Sequence, residues 1–219
     1  MKIKICGMRD AENIRRVAAL QPDYMGFIFY LESPRYIGKS GVKKAPDGVK
    51  KVGVFVDESL ENILKQIADY ELYAVQLHGS ESVELCAALQ AHTKVIKAFG
   101  VDEHFDFSLT DAYHGSVDFL LFDTKSAVHG GSGRTFNWRV LDRYEGSTPF
   151  FLSGGIGPEN IKEAAAIRHP AFYALDLNSR FEISPGLKDV EKLKKALVEI
   201  GHFTQQDIQG AGELVSRDK

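Results

Sequence analysis

The chain has 219 residues, 44% of them apolar and 26% charged, with a formal net charge of −3. That length supports a full core in one large domain or two small ones, and the lack of basic excess gives no electrostatic footing for nucleic acid or an anionic membrane. No apolar run approaches the roughly 20 residues of a membrane helix, and two cysteines, Cys6 and Cys86, do not make a disulfide framework, so a cytoplasmic protein with neither kind of partner is expected.

Residues 2–6 open the chain as a short alternating strand that delivers one thiol, Cys6, to the Gly7 turn. Asp10-Ala11-Glu12-Asn13 then starts an amphipathic helix with Ile14, Val17 and Ala18 on one face. A second strand covers 24–29. The gap after it holds Gly38, Gly41, Pro46 and Gly48, which predicts a short or degraded helix. Strand 51–56 precedes a helix capped by Ser59, with Leu60, Ile63, Leu64 and Ile67 as its buried stripe. Strand 73–78 is followed by Ser80 ahead of Val83, Cys86 and Leu89, a stripe that makes Cys86 a core residue. Strands 94–99 and 117–123 come next, then strand 149–153 with Pro158 where a helix begins before Ile161 and Ala165. Strand 172–176 is last, and Asp189 leads a helix carrying Val190, Leu193, Leu197 and Ile200.

The strand ends recur every 21 to 30 residues, the size of one βα unit. Eight such units predict an α/β fold, a (β/α)8 TIM barrel, with residues 1–202 as a single domain and 203–219 as a polar tail. A doubly wound open sheet would place G-x-G-x-x-G after the first strand, and Cys6-Gly7-Met8-Arg9 is not that turn. In a barrel the chemistry gathers at the C-terminal strand ends, where this chain puts Cys6, Gln76, His78, Asp123, Ser153, Gly154, Gly155 and Asp176.

Strand parity makes the first strand specific. If Cys6 points into the barrel mouth, Lys4 shares its side and needs an anion, for which Asp176 is a candidate. An ammonium beside Cys6 would favour its thiolate. Asp123 ends the apolar run Phe119-Leu120-Leu121-Phe122, where desolvation would favour a carboxyl able to act as an acid, against the plainer role of capping the next loop. Three segments suggest an anion site: Gly130-Gly131-Ser132-Gly133-Arg134, Ser153-Gly154-Gly155-Ile156-Gly157 and Asn178-Ser179-Arg180. Glycines let backbone N–H groups approach a phosphate, and barrels commonly bind one with the loops after strands seven and eight. Arg35, in Ser33-Pro34-Arg35-Tyr36, has a planar fork suited to a carboxylate, and Gln76 and His78 could line the pocket. The histidines lack metal-ligand spacing, so neither metal nor cofactor is expected. With no strongly apolar patch visible, a monomer is the expectation.

These residues together resemble the phosphoribosylanthranilate isomerase family. The likeness rests on Lys4-Ile5-Cys6-Gly7, Gly26-Phe27-Ile28-Phe29-Tyr30, Ser33-Pro34-Arg35-Tyr36-Ile37, Val75-Gln76-Leu77-His78-Gly79, Asp123-Thr124-Lys125, Leu152-Ser153-Gly154-Gly155 and Pro185-Gly186-Leu187-Lys188-Asp189. The resemblance implies an Amadori rearrangement of a phosphorylated small molecule in tryptophan biosynthesis, with Cys6 as general base, Asp123 as general acid and Arg35 on the anthranilate carboxylate. Two segments depart from the family pattern. Asn178-Ser179-Arg180-Phe181-Glu182 stands where Ser-Ser-Gly-Val-Glu is usual, and Arg134 replaces the familiar lysine.

Overall fold

A computed structural model describes residues 1–38, 48–125 and 136–202. The expected helix between Gly38 and Gly48, the Gly130–Arg134 run with Gly131, Ser132 and Gly133, and the 203–219 tail fall outside those residues. Eight parallel strands close into a barrel in chain order: β1 Lys2–Ile5, β2 Tyr24–Ile28, β3 Lys50–Phe55, β4 Ala74–Leu77, β5 Lys94–Val101, β6 Phe119–Thr124, β7 Phe150–Leu152 and β8 Phe172–Leu177. Closure comes from β1, which pairs with β2 on one side and β8 on the other, setting Lys4 opposite Asp176. The α-helices are α1 Ala11–Ala18, α2 Leu60–Tyr70, α3 Val83–Gln90, α4 Ile161–Ala165 and α5 Val190–Glu199. No helix of the described residues is long and apolar enough to cross a membrane.

The alternation of the strands divides the apolar residues into two cores. Tyr24, Val52, Ala74, Ile96, Ala98, Leu121, Phe151 and Ala174 fill the barrel interior. Ile3, Ile5, Met25, Phe27, Val75, Leu120 and their like face the surrounding helices. Aromatic rings pack one end of the interior, with Tyr24 edge-on to Phe151 at 5.6 Å and the Tyr24 and Tyr173 hydroxyls 2.7 Å apart.

The crossovers are less regular than the strands. Asp10, Ser59, Ser82 and Asp189 each accept a hydrogen bond from the backbone three residues on, and each starts an α-helix. The cap of α3 is Ser82. Leu60, expected in a buried stripe, is 37% exposed at the first helical position, while Ile63 one turn on is fully buried. After β5 and β6 the chain forms 3₁₀ helices, Phe107–Tyr113 and Trp138–Arg143. There the caps Asp106 and Asn137 reach only two residues ahead, to Ser108 N and Arg139 N, which tightens the first turn. After β8 comes a 3₁₀ turn, Ser179–Phe181, and then an antiparallel hairpin of β9 Glu182–Ser184 and β10 Leu187–Lys188.

Candidate active site

Cys6 leaves β1 with its amide bonded to Leu177 O at 2.9 Å, so the strand's last residue is held against β8. Its side chain enters a pocket at the C-terminal ends of the strands, also lined by Gln76, His78, Asp123, Ser153, Gly154, Gly155, Ile156, Asp176, Asn178 and Ser179. Most residues expected at the site are therefore brought together.

Beneath the thiol, Lys4 is fully buried and its ammonium bonds Asp176 Oδ2 and Gln76 Oε1, both at 2.8 Å. Burial opposes the charge on Lys4, but Asp176 and Cys6 outweigh it and hold the ammonium's pKa above the ordinary value. The anion expected for Lys4 is thus Asp176. The effect on Cys6 differs from expectation. Burial pushes the thiol pKa up, and the opposing pull of Lys4 and of a second ammonium, Lys188, does not overcome it. Cys86 is fully buried on the inner face of α3, and its thiol is pushed up to about 11, chiefly by desolvation, as suits a core residue.

Across the mouth, Asp123 ends β6. Its Oδ1 accepts the Thr124 amide at 2.8 Å, and its Oδ2 lies 3.3 Å from His78 Nε2. Gln76 Nε2 is 2.8 Å from His78 Nδ1, so a continuous polar chain runs from Asp176 through Lys4, Gln76 and His78 to Asp123. Gly154 and Gly155 take φ of +90° and +64° at the end of β7, a conformation L side chains rarely adopt. A Cβ on Gly154 would lie 2.6 Å from Asp123 Oδ1 and 2.4 Å from Thr124 N. Gly154 therefore makes room for the β6 carboxylate as well as for any ligand in the loop.

Arg35 is not solvated. Its Nε bonds both oxygens of Glu182 at 3.0 Å, and its Nη2 bonds Oε2 at 2.8 Å. Lys188 shares the same carboxylate at 2.7 Å and also bonds Asn178 Oδ1 at 2.7 Å. Burial works against the charge on Glu182, yet Arg35 and Lys188 together hold its carboxyl below the usual range. Arg180 turns its guanidinium to Glu159, outside the pocket, while Ser179 beside it lines the wall. Sequence reasoning missed Lys188 and Glu182 as site residues. They come from a hairpin whose advance signal was the Pro185-Gly186 turn between Glu182 and Lys188.

Residues 3–199 match the family described as N-(5′-phosphoribosyl)anthranilate (PRA) isomerase. A protein of Parabacteroides distasonis with that isomerase name is 48% identical over 208 residues, 92% of this chain and 94% of the relative. The crystal structure of the phosphoribosyl anthranilate isomerase from Thermotoga maritima aligns with a TM-score of 0.82 at 36% identity, covering 93% of this chain and 100% of that one. Another isomerase structure, in complex with reduced 1-(o-carboxyphenylamino)-1-deoxyribulose 5-phosphate, gives a TM-score of 0.78 at 33% identity, with coverage of 93% and 100%.

Proposed function

Since this chain belongs to the N-(5′-phosphoribosyl)anthranilate isomerase family, and so is an isomerase of tryptophan biosynthesis, we propose that Cys6 and Asp123 carry out its reaction as a base and acid facing one pocket. The observation that carries this reading is their placement: a thiol ending β1 and a carboxyl ending β6 enter the same cavity from separate strands. Asp123 protonates the ribose ring oxygen, the C1′–O bond breaks, and the ring opens to a Schiff base. The Cys6 thiolate takes the C2′ proton, and the electron pair forms the C1′–C2′ double bond of an enolamine that tautomerises to the ketone. Hydrogen moves only within the substrate and these two groups.

The thiol must lose its proton before the second step. Lys4 and Lys188 are the cations that favour this, against the burial that holds the proton on. The phosphate fits the mouth beside Gly154, Gly155 and Ile156, with the Ser179–Phe181 turn across from it. The reduced product analogue bound to the isomerase relative is a phosphorylated small molecule of the size this mouth would take. Arg35 is assigned to the anthranilate carboxylate. Glu182 already engages two of its nitrogens, so the ligand uses the guanidinium's remaining donors or displaces Glu182. We also assign a monomeric state, because the large exposed apolar side chains Leu31, Leu109 and Ile183 come from separate segments, the turn after β2, a 3₁₀ helix and β9.

The test follows the fluorescence of freshly made substrate. Cys6→Ser and Asp123→Asn should each lower kcat by about 10²–10⁴-fold while the reduced product analogue still binds, since a hydroxyl is too weakly acidic to replace the thiolate and an amide cannot donate the ring proton. Either variant retaining most of its kcat would remove that residue from the mechanism.

A further inference from the structure

The polar chain across the pocket floor has a direction, and that direction is fixed at one end. Lys4 is an ammonium with three donors and no acceptor, so the Gln76 atom 2.8 Å from it must be the amide oxygen. The other end of that amide is then its NH₂ group, which can only donate. It meets His78 Nδ1 at 2.8 Å, so Nδ1 must be the acceptor nitrogen of the ring. The ring proton is left on Nε2, which faces Asp123 Oδ2 at 3.3 Å. Thr124 N donates to the other oxygen of the same carboxyl at 2.8 Å. The Thr124 amide therefore holds one oxygen by a hydrogen bond, and the His78 Nε2 lies beside the other as an ion-pair contact.

We propose that Gln76 and His78 are positioning residues for Asp123: the buried Lys4 ammonium, through the Gln76 amide, imposes the Nε2–H tautomer on His78, and that N–H aims the Asp123 carboxyl at the substrate. Neither residue needs to touch the reacting atoms for this role. The inference rests on Asp123 being the acid only for its kinetic consequence, because the tautomer itself is a property of the protein alone. It gives Lys4 two tasks, one toward Cys6 and one toward Asp123 by way of Gln76 on β4, 72 residues along the chain from Lys4.

The experiment labels histidine with ¹⁵N and reads the His78 ring by NMR, using His78→Gln to assign its signals. Wild type should show a protonated Nε2 and an unprotonated Nδ1. Gln76→Glu keeps an acceptor for Lys4 but presents only oxygens to Nδ1, so the proton should appear on Nδ1. In that variant kcat should fall about 10- to 100-fold, the usual worth of an orienting partner, with KM nearly unchanged. His78→Gln, whose amide N–H can stand near the Nε2–H position, should keep more activity than His78→Leu. A wild-type ring protonated on Nδ1 would overturn the proposal, as would a Gln76→Glu variant that moves the proton without changing kcat. If Asp123→Asn stays active while the tautomer is as stated, the acid assignment fails and the tautomer lock stands.

Discussion

On β2, Gly26 faces the sulfur of Cys6, and a Cβ built there would lie 2.6 Å from Sγ. The thiol is among the most buried groups of the mouth, so its position is set by what its neighbour lacks. Gly26→Ala should push the sulfur from its place and lower kcat by about 10- to 100-fold, since small misplacements of a reacting group are costly. The fold should survive, as read by an unchanged circular dichroism spectrum. A fully active Gly26→Ala enzyme would mean that the sulfur has slack the packing does not suggest. That Cys6 and Asp123 would meet in one pocket was legible in the sequence, because each ends an apolar strand with a group that packing alone does not call for. Gly26 was not, because its importance depends on which strand lies beside β1 and at what register. Arg35 was half legible: its fork was read as facing a carboxylate, and the carboxylate it holds is Glu182.

The elements were legible to the extent that their signals are local. Strand bounds agree with the apolar runs within about two residues. The α-helices with hydroxyl or carboxyl caps reaching three residues on were visible as such. The 3₁₀ segments after β5 and β6 were not, because a cap's reach of two or three residues is a matter of geometry rather than residue type. The difference can be measured. Ser59→Ala removes the bond to Asn62 N, 3.3 Å long and solvent-facing, and should cost about 1 kcal/mol in urea unfolding with an unchanged m-value. A loss below about 0.3 kcal/mol would show that α2 is held by packing of Ile63 and Tyr70 rather than by its cap. The β9–β10 hairpin was hidden for another reason. It is two short strands with little apolar pattern, and it exists to bring Glu182 and Lys188 over Arg35.

At the scale of the molecule, the barrel interior is divided between an aromatic end and a charged end. The hairpin charges beside the charged end make stability depend on pH. Glu182 has a folded pKa below its unfolded value near 4.5, so its contribution is complete above that value and is lost as pH falls through the folded one. Glu182→Gln leaves Arg35 and Lys188 without their shared anion and should cost about 3–5 kcal/mol at neutral pH. The gap between wild type and variant should hold constant down to about pH 4.5 and narrow as the pH is taken below that. A gap that stays constant through that range would place the acid sensitivity elsewhere.

The bond between Lys4 and Asp176 joins residues 172 positions apart. A ribosome adding about 5–20 residues each second would need roughly 10–35 seconds to bring the second of them into being after the first. Throughout that interval the nascent β1 carries an ammonium destined for a dry interior with its counter-ion not yet made, and an edge that only β8 can cover. The strand that holds the thiol is thus an early product and a late participant. Protection should arrive in a single step with β8, so that ribosome-stalled chains ending before residue 172 would show a freely alkylated Cys6, whereas the released chain would protect it.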